Sequence, residues 1–309
     1  MLIITLPPVH QEKLLHDVIS HPQVQAVRYN TGVDSPYSPS ETLGKILELT
    51  VKYDKPFYVD LKGRQLRVVE WATLPFGPIV LNHRIKVDLP AKVFFRGDDS
   101  CDLREVVDGR KLYVDPLPKY PFGRGQAVNV VGKNLEIDSF FTDNDYAYTK
   151  AAIDLGVSRF MLSFVEGMDY IVAFEELLQR YSDGNRSSEY EIVLKIESQA
   201  GVEFVRNASD GSLSDYQLMA ARDDLMIQIG GLKMIEAIGV IIERDPDAIC
   251  ASRLLMGLEQ VGEVTMADIS DLQLMQRMGY KRFMLSDGVS RNNFKEAIKF
   301  WRKYASLYM

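Results

Sequence analysis

The sequence predicts an α/β protein: a (β/α)8 TIM barrel with a small all-β domain inserted after the third strand. Three observations predict it. Short apolar runs alternate with segments of helical period along nearly the whole 309-residue chain, as expected of parallel strands covered by helices. The alternation repeats eight times, the number that closes a barrel of about 250 residues. The surplus length sits in one stretch, about 66–140, rich in Val, Pro and Gly. Its short alternating runs, such as Arg84-Ile85-Lys86-Val87-Asp88 and Ala127-Val128-Asn129-Val130-Val131, read as β-structure. Residues 1–65 and 141–309 are therefore expected to build the barrel, and 66–140 a lid on its C-terminal face, where barrel enzymes carry their active sites.

The elements follow in order. Residues 2–6 are apolar, lack a basic flank and stop at Pro7-Pro8, so they read as a first strand and not a signal peptide. An early surface helix over about 11–20 follows, and His10 and His16 are both expected on it. The second strand (24–29), its helix (40–53) and the third strand (57–61) precede the insert. Beyond it come a helix at 144–155, a strand at 159–164 and a helix at 168–181. A polar stretch, Ser182 to Ser187, reads as an exposed loop. The fifth strand (192–196) leads to a helix at 202–207. The apolar run 225–229, closed by Gly230-Gly231, reads as the sixth strand, with its helix at 232–243. Residues 248–251 and 282–285 complete the strands, and 266–278 and 292–308 the helices.

Composition narrows the function. The net charge is −7, from 36 basic and 43 acidic residues, with no dense Lys/Arg block, which argues against a nucleic-acid partner. The two cysteines, Cys101 and Cys250, make no disulfide framework, and a reducing cytoplasm is the expected location. The four histidines show no zinc-type spacing. No apolar run approaches the roughly 18 residues of a membrane-spanning helix, so no membrane partner is expected. What stands out is Val193-Leu194-Lys195-Ile196-Glu197. Strand alternation sends Lys195 and Glu197 to one side of an otherwise apolar strand, and burying such a pair costs several kcal/mol per ion before compensation.

A set of strand-end motifs makes the chain resemble the pyruvate kinase family over nearly its whole length. Thr5-Leu6-Pro7-Pro8 is similar to the family's Thr-Ile-Gly-Pro, and Val27-Arg28-Tyr29-Asn30 to Ala-Arg-Leu-Asn. Asp60-Leu61-Lys62-Gly63-Arg64-Gln65-Leu66-Arg67 resembles Asp-Thr-Lys-Gly-Pro-Glu-Ile-Arg, directly before that family's lid. Leu162-Ser163-Phe164-Val165, Lys195-Ile196-Glu197, Ile249-Cys250-Ala251-Ser252, Ser270-Asp271-Leu272 and Met284-Leu285-Ser286 continue the series in order. The resemblance implies phosphoryl transfer between phosphoenolpyruvate and ADP with Mg2+ or Mn2+, and often K+, by positioning and charge neutralisation. It implies that Lys195 and Arg28 face the phosphoryl group, that Glu197 ligates the divalent ion, and that Asn30 and Asp60 hold the monovalent one. Arg67 and Lys62 would bring positive charge to nucleotide and phosphate at the lid hinge, and Ser252 a hydroxyl near the substrate.

Departures from the pattern qualify the activity. The family's sixth strand ends in Arg-Gly-Asp-Leu-Gly, whose aspartate is the second metal carboxylate. Aligned on Gln228-Ile229-Gly230-Gly231-Leu232, the arginine becomes Ile229 and the aspartate Gly231, halving the metal site, while the Gly230 and Gly231 amides still offer a carboxylate cradle. Gly32, beside Thr31, replaces the cation-site serine, and Gln65 replaces an acid. Glu166 replaces a basic residue, and it or Asp287 would be a substitute metal ligand. Three functions compete: a compact phosphotransferase of reduced or altered activity on phosphoenolpyruvate, pyruvate or a related acid; a metal-assisted C–C lyase on the same barrel; and an impaired paralogue that binds a metabolite or partner. The chain ends at Met309, just past the eighth helix, so the expectation is that the family's C-terminal domain and its effector control are absent. Any homo-oligomer would form through the barrel.

Overall fold

The computed structural model describes residues 1–70, 77–96, 99–119, 123–182 and 190–308. The chain begins β1 (Leu2–Thr5), α1 (Glu12–Ile19), β2 (Ala26–Asn30), α2 (Pro39–Lys52) and β3 (Phe57–Leu61). Five strands follow: β4 (Ile79–Val80), β5 (Ile85–Arg96), β6 (Asp99–Val107), β7 (Lys111–Asp115) and β8 (Asn129–Ile137). The chain then resumes its alternation with α3 (Asp143–Asp154), β9 (Arg159–Leu162), α4 (Met168–Tyr181), β10 (Glu191–Ile196) and α5 (Gln199–Asn207). It closes with β11 (Gln217–Ala221), α6 (Arg222–Ile229), α7 (Gly231–Arg244), β12 (Ile249–Ala251), α8 (Met256–Val261), α9 (Met266–Met278), β13 (Arg282–Leu285), α10 (Asp287–Asn292) and α11 (Phe294–Tyr308).

Eight parallel strands close into a barrel in the order β1-β13-β12-β11-β10-β9-β3-β2. Alternation sorts their side chains. One set faces the helices in the main core, among them Val27, Val59, Leu61, Leu194 and Ile196. The other fills the barrel interior, with Ile3, Ala26, Tyr58, Met161, Val193, Met219, Ile249, Ala251 and Met284. Several helices start where a side chain caps the free amides: Ser38, Thr142 and Thr265 form capping boxes with Glu41, Asp145 and Asp268.

The insert is a separate antiparallel sheet, β4-β7-β6-β5-β8, with its own apolar core around Leu66, Leu81, Val93, Leu103 and Val130. His83 ties its two connections to the barrel. The ring is buried, with Nε2 2.8 Å from the Gly63 carbonyl oxygen and Nδ1 2.9 Å from Ser139 Oγ. Among the described residues no helix is long and apolar enough to cross a membrane. The stretch expected as an exposed loop, Ser182 to Ser187, lies outside the described residues beyond Ser182, the C-terminal cap of α4.

One strand is not where the sequence pointed. Residues 225–229 lie in helix α6, and the sixth strand is Gln217–Ala221, which pairs with β10 and β12. A strand buried on both faces beside crowded neighbours is built here from Leu, Met and Ala and carries no β-branched residue. The branched run Leu225-Met226-Ile227-Gln228-Ile229 has the more strand-like composition but follows a strand end already in place.

Candidate active site at the barrel mouth

Period-two alternation builds the site. The interior-facing positions Ala26, Tyr58, Met161 and Val193 continue two residues on as Arg28, Asp60, Ser163 and Lys195, and two further as Asn30, Lys62 and Glu197. Register brings them level: Asn30 pairs with Asp60 across β2 and β3, and Lys195 with Met219 across β10 and β11. The strand pattern that packs the barrel floor with apolar side chains thus crowds its mouth with charges, which line a cleft of about 350 Å³.

Asp60, fully buried, is the hub. Arg28 donates to its Oδ2 through Nε at 2.7 Å and through a second, short bond from its terminal nitrogen, and also reaches Thr5 Oγ1 at 3.2 Å. Lys62 Nζ lies 3.1 Å from the same oxygen, and Lys195 Nζ 3.4 Å from both oxygens. Burial alone would push the Asp60 carboxyl up; the cations Arg28, Lys195 and Lys62 hold it well below the usual carboxylate range. Burial, and the neighbouring charges of Lys195 and Arg28, push the Lys62 amine well below its ordinary range, so the positive charge facing the cleft is carried chiefly by Arg28 and Lys195.

Lys195 also donates to Ser163 Oγ at 2.8 Å and pairs with Glu197 at 3.1 Å. Glu197 accepts 2.6 Å from the backbone N–H of Phe164, a residue in the left-handed region with φ 56°. Burial, with the negative charges of Asp224 and Asp60, pushes the Glu197 carboxyl up to about 7 against the pull of Lys195 and the Phe164 amide. Asp224 lines the same cleft from the first turn of α6. Its carboxylate accepts from Asn129 Nδ2 at 2.8 Å, a residue of the insert, and from Gln65 Nε2 at 3.4 Å. Gln228 of α6 in turn donates to Asn129 Oδ1 at 2.9 Å.

Asp224 corrects the alignment drawn above. The run that leaves the sixth strand is Ala221-Arg222-Asp223-Asp224-Leu225, similar to Ala-Arg-Gly-Asp-Leu, so the second carboxylate is present and Gly231 does not replace it. Gly230 and Gly231 form the exposed junction between α6 and α7, outside the cleft, so the amides nearest its floor are those that open α6. The arginine is present too. Arg222 is buried and braces the start of α6, with two bonds to Asp271 at 2.7 and 2.8 Å and two to the Ser252 carbonyl at 3.1 and 2.9 Å. The signal that would have found both was the acid pair after Ala-Ala-Arg.

The other expected residues divide. Ser252 lines the cleft, at a left-handed turn with φ 64°. Arg67 lines it at the root of the insert, bonded to Gln65 Oε1 at 2.7 Å and to the carbonyls of Gly125 at 2.5 Å and Gly32 at 3.3 Å. Lys62 is no hinge residue reaching for a nucleotide, because its ammonium is buried on Asp60. Asp287 lies in the cleft but pairs with Arg291 at 3.3 Å. Glu166 points elsewhere: it lines a second cavity between insert and barrel, accepts from Ser198 Oγ at 2.5 Å and faces Arg64 at 3.4 Å, so it is no substitute ligand beside Glu197.

A divalent ion fits the pair Glu197 and Asp224. The charge of Asp224 helps push the buried Glu197 carboxyl up, and a carboxylate so crowded by a second one is where such an ion replaces a proton. Among the described residues no group of three or more His, Cys, Asp or Glu side chains gathers for a metal, so the remaining ligands would be substrate oxygens and water, the habit of Mg2+. The monovalent ion fits poorly. Asn30 Oδ1 accepts from the Gly32 amide at 3.1 Å, and Asp60 is already shared by three cations.

Comparison with known proteins gives a consistent relationship. The family model described as pyruvate kinase, barrel domain, matches residues 86–297. A pyruvate kinase from Thermoplasma acidophilum is 27% identical over 265 residues, covering 78% of this chain and 46% of its own length. The chain thus spans under half the length of that relative. A crystal structure of Cryptosporidium parvum pyruvate kinase superposes with a TM-score of 0.73 at 20% identity, over 95% of this chain and 67% of that one. A second pyruvate kinase structure from the same organism gives 0.70 at 19% identity, over 94% and 64%. At these identities the two structures bear on the fold alone.

Proposed function

Because the chain belongs to the pyruvate kinase family, we propose that it is a metal-assisted phosphotransferase whose substrate is a small acid of the phosphoenolpyruvate and pyruvate class. One observation carries the reading. Arg28, Lys195 and Lys62 converge in the same cleft as the two carboxylates Glu197 and Asp224, at the C-terminal mouth of a barrel. An excess of fixed cations suits a phosphoryl group, and a carboxylate pair suits the divalent ion that accompanies it.

The roles follow from chemistry and place. Arg28 offers a planar fork to phosphoryl oxygens, and Asp60 holds that fork in position. Lys195, tethered to Ser163, Asp60 and Glu197, sets an ammonium where charge develops during transfer and loses no energy to reorientation. The amides that open α6 and the Ser252 hydroxyl would receive the substrate carboxylate, and Arg67 would face the phosphates of ADP or ATP. Glu197 and Asp224 would hold Mg2+ or Mn2+, which supplies Lewis-acid neutralisation of phosphoryl oxygens. The expectation of reduced activity drew on a carboxylate missing at Gly231 and an acid added at Glu166; Asp224 in the cleft and Glu166 outside it favour the phosphotransferase reading.

The test is a coupled assay with phosphoenolpyruvate, ADP and Mg2+. Turnover that disappears in a folded Lys195→Met variant is expected; no turnover above buffer in the native protein sinks the reading.

A further inference from the structure

We infer that Arg64 and Glu166 are a positioning pair that fixes the insert over the cleft. Only the consequence for turnover rests on the phosphotransferase reading. Two connections join the insert to the barrel, 62–65 after β3 and 138–142 before α3. Beside them lies the second cavity, of about 270 Å³, lined by Leu66, Val130 and Ile137 of the insert and by Phe164 and Ala200 of the barrel loops. Close packing would hold two bodies at one angle by itself; a cavity at their junction leaves that angle to polar ties. The bonds of Asn129 with Asp224 and Gln228 are one such tie. Arg64 and Glu166 make another.

Each partner is set in place by its own surroundings. The Arg64 guanidinium lies over the Phe140 ring, 5.8 Å from its centre, and Phe140 stacks on Tyr170 of α4 at 5.2 Å. That stack joins both connections to the barrel. Glu166 follows the fully buried Val165, whose N–H donates to the Lys195 carbonyl at 3.2 Å, and its Oε1 accepts from Ser198 Oγ at 2.5 Å. Glu166 Oε2 then lies 3.4 Å from Arg64 Nη1, with the two side chains only 18% and 26% exposed, so water screens the pair less than one on the open surface. Arg64 Nε is shut off from solvent and has no hydrogen-bond partner among the described residues, so the guanidinium leans on Glu166 for its charge. Both residues depart from the strand-end pattern, Arg64 from its proline and Glu166 from its basic residue, and the two departures complement one another. The pair positions Arg67, which lines the cleft from the root of the insert, and Asn129, which bonds Asp224. Arg28 and Lys195 stand on barrel strands and need no such help.

Hydrogen exchange on the full chain tests the pair without any need for turnover. Glu166→Gln keeps an acceptor for Ser198 and removes the charge; Arg64→Met removes the opposite charge. Each should speed exchange several-fold in β8 and in both connections, and leave β13, across the barrel from β9, as it was. The double variant should exchange no faster than the faster single one, because the two residues act together. Native exchange in both single variants, additive effects in the double one, or a rise as large in β13 overturns the inference. If Glu166→Gln does not fold, Arg64→Met decides by the same measurement. In the coupled assay, Glu166→Gln should raise KM for ADP and keep kcat, since the groups at the reacting centre stand on the barrel. A fall in kcat at unchanged KM overturns the positioning role. Absence of turnover in the native protein sinks the phosphotransferase reading alone, and the exchange result then decides this one.

Discussion

Glu197 and Asp60 are buried carboxylates on strands separated by β9, yet they respond to pH in opposite senses. Glu197 is raised to about 7 from an ordinary 4.5. A group raised on folding favours the native state below its unfolded value and loses that contribution as pH rises through the folded one. The metal-free protein should therefore lose stability between about pH 4.5 and 7 through this residue, and Glu197→Gln should flatten that fall in melts taken across the range. Asp60, held low by Arg28, Lys195 and Lys62, contributes above the usual carboxylate range and is lost only as pH drops below it. Metal affinity follows from the same titration: protons compete for Glu197, so Mn2+ binding read by calorimetry should weaken as pH falls below about 7. Position can be tested as well as charge. Asp224→Asn should cost roughly 10–100-fold or more in Mn2+ affinity, the scale of even outer-ligand losses, while Gly231→Asp on the exposed α6–α7 junction should change nothing. Equal effects of the two substitutions would return the metal site to the glycine pair.

Elements account for what the sequence disclosed and what it hid. Seven barrel strands carry branched or aromatic residues and a polar strand end, so period and punctuation located them along with Arg28, Asp60, Lys195 and Glu197. β11 lacks the first signal, since its interior face is Met219 and Ala221 against crowded neighbours, and its polar end, Arg222-Asp223-Asp224, opens α6 without a turn residue to mark it. Misplacing that one strand moved the second carboxylate by seven positions, from Asp224 to Gly231. Partners across long sequence separations were equally hidden, as no local pattern joins Asn129 of β8 to Asp224 of α6. That bond is one of the ties between insert and barrel, and Asn129→Ala should raise hydrogen exchange in both β8 and α6 while sparing β1. Gly63 is a stiffer joint. Its φ is +48°, and a Cβ there would stand 1.7 Å from Tyr170 Oη, on a ring stacked against Phe140 and unable to retreat. Gly63→Ala should destabilise the fold by roughly 1–3 kcal/mol in denaturant melts, the usual range for overpacking, with added strain from the left-handed backbone. A neutral effect would mean that the start of the insert is free to move.

At the scale of the whole molecule, the proposed function asks a chain of net charge −7 to attract an anion. Its long-range field repels a phosphorylated acid, and the surplus of cations on Asp60 acts only within the cleft, where screening is weak. Glu197 and Asp224 offset part of that surplus, so an anion arriving alone meets two carboxylates among the cations. A divalent ion on those carboxylates reverses their local charge, and the anion and the ion should then favour one another. Coupling of this kind is reciprocal: whatever Mg2+ adds to the affinity for phosphoenolpyruvate, phosphoenolpyruvate adds to the affinity for Mg2+. Each ligand alone at ~100 times its Kd stabilises by about 2.7 kcal/mol. Together they should raise the melting temperature by more than the sum of their separate shifts, and Asp224→Asn should reduce the pair to additivity. Additive shifts in the native protein would mean that the carboxylates and the cations serve different ligands, and the single-site reading of the barrel mouth would fail.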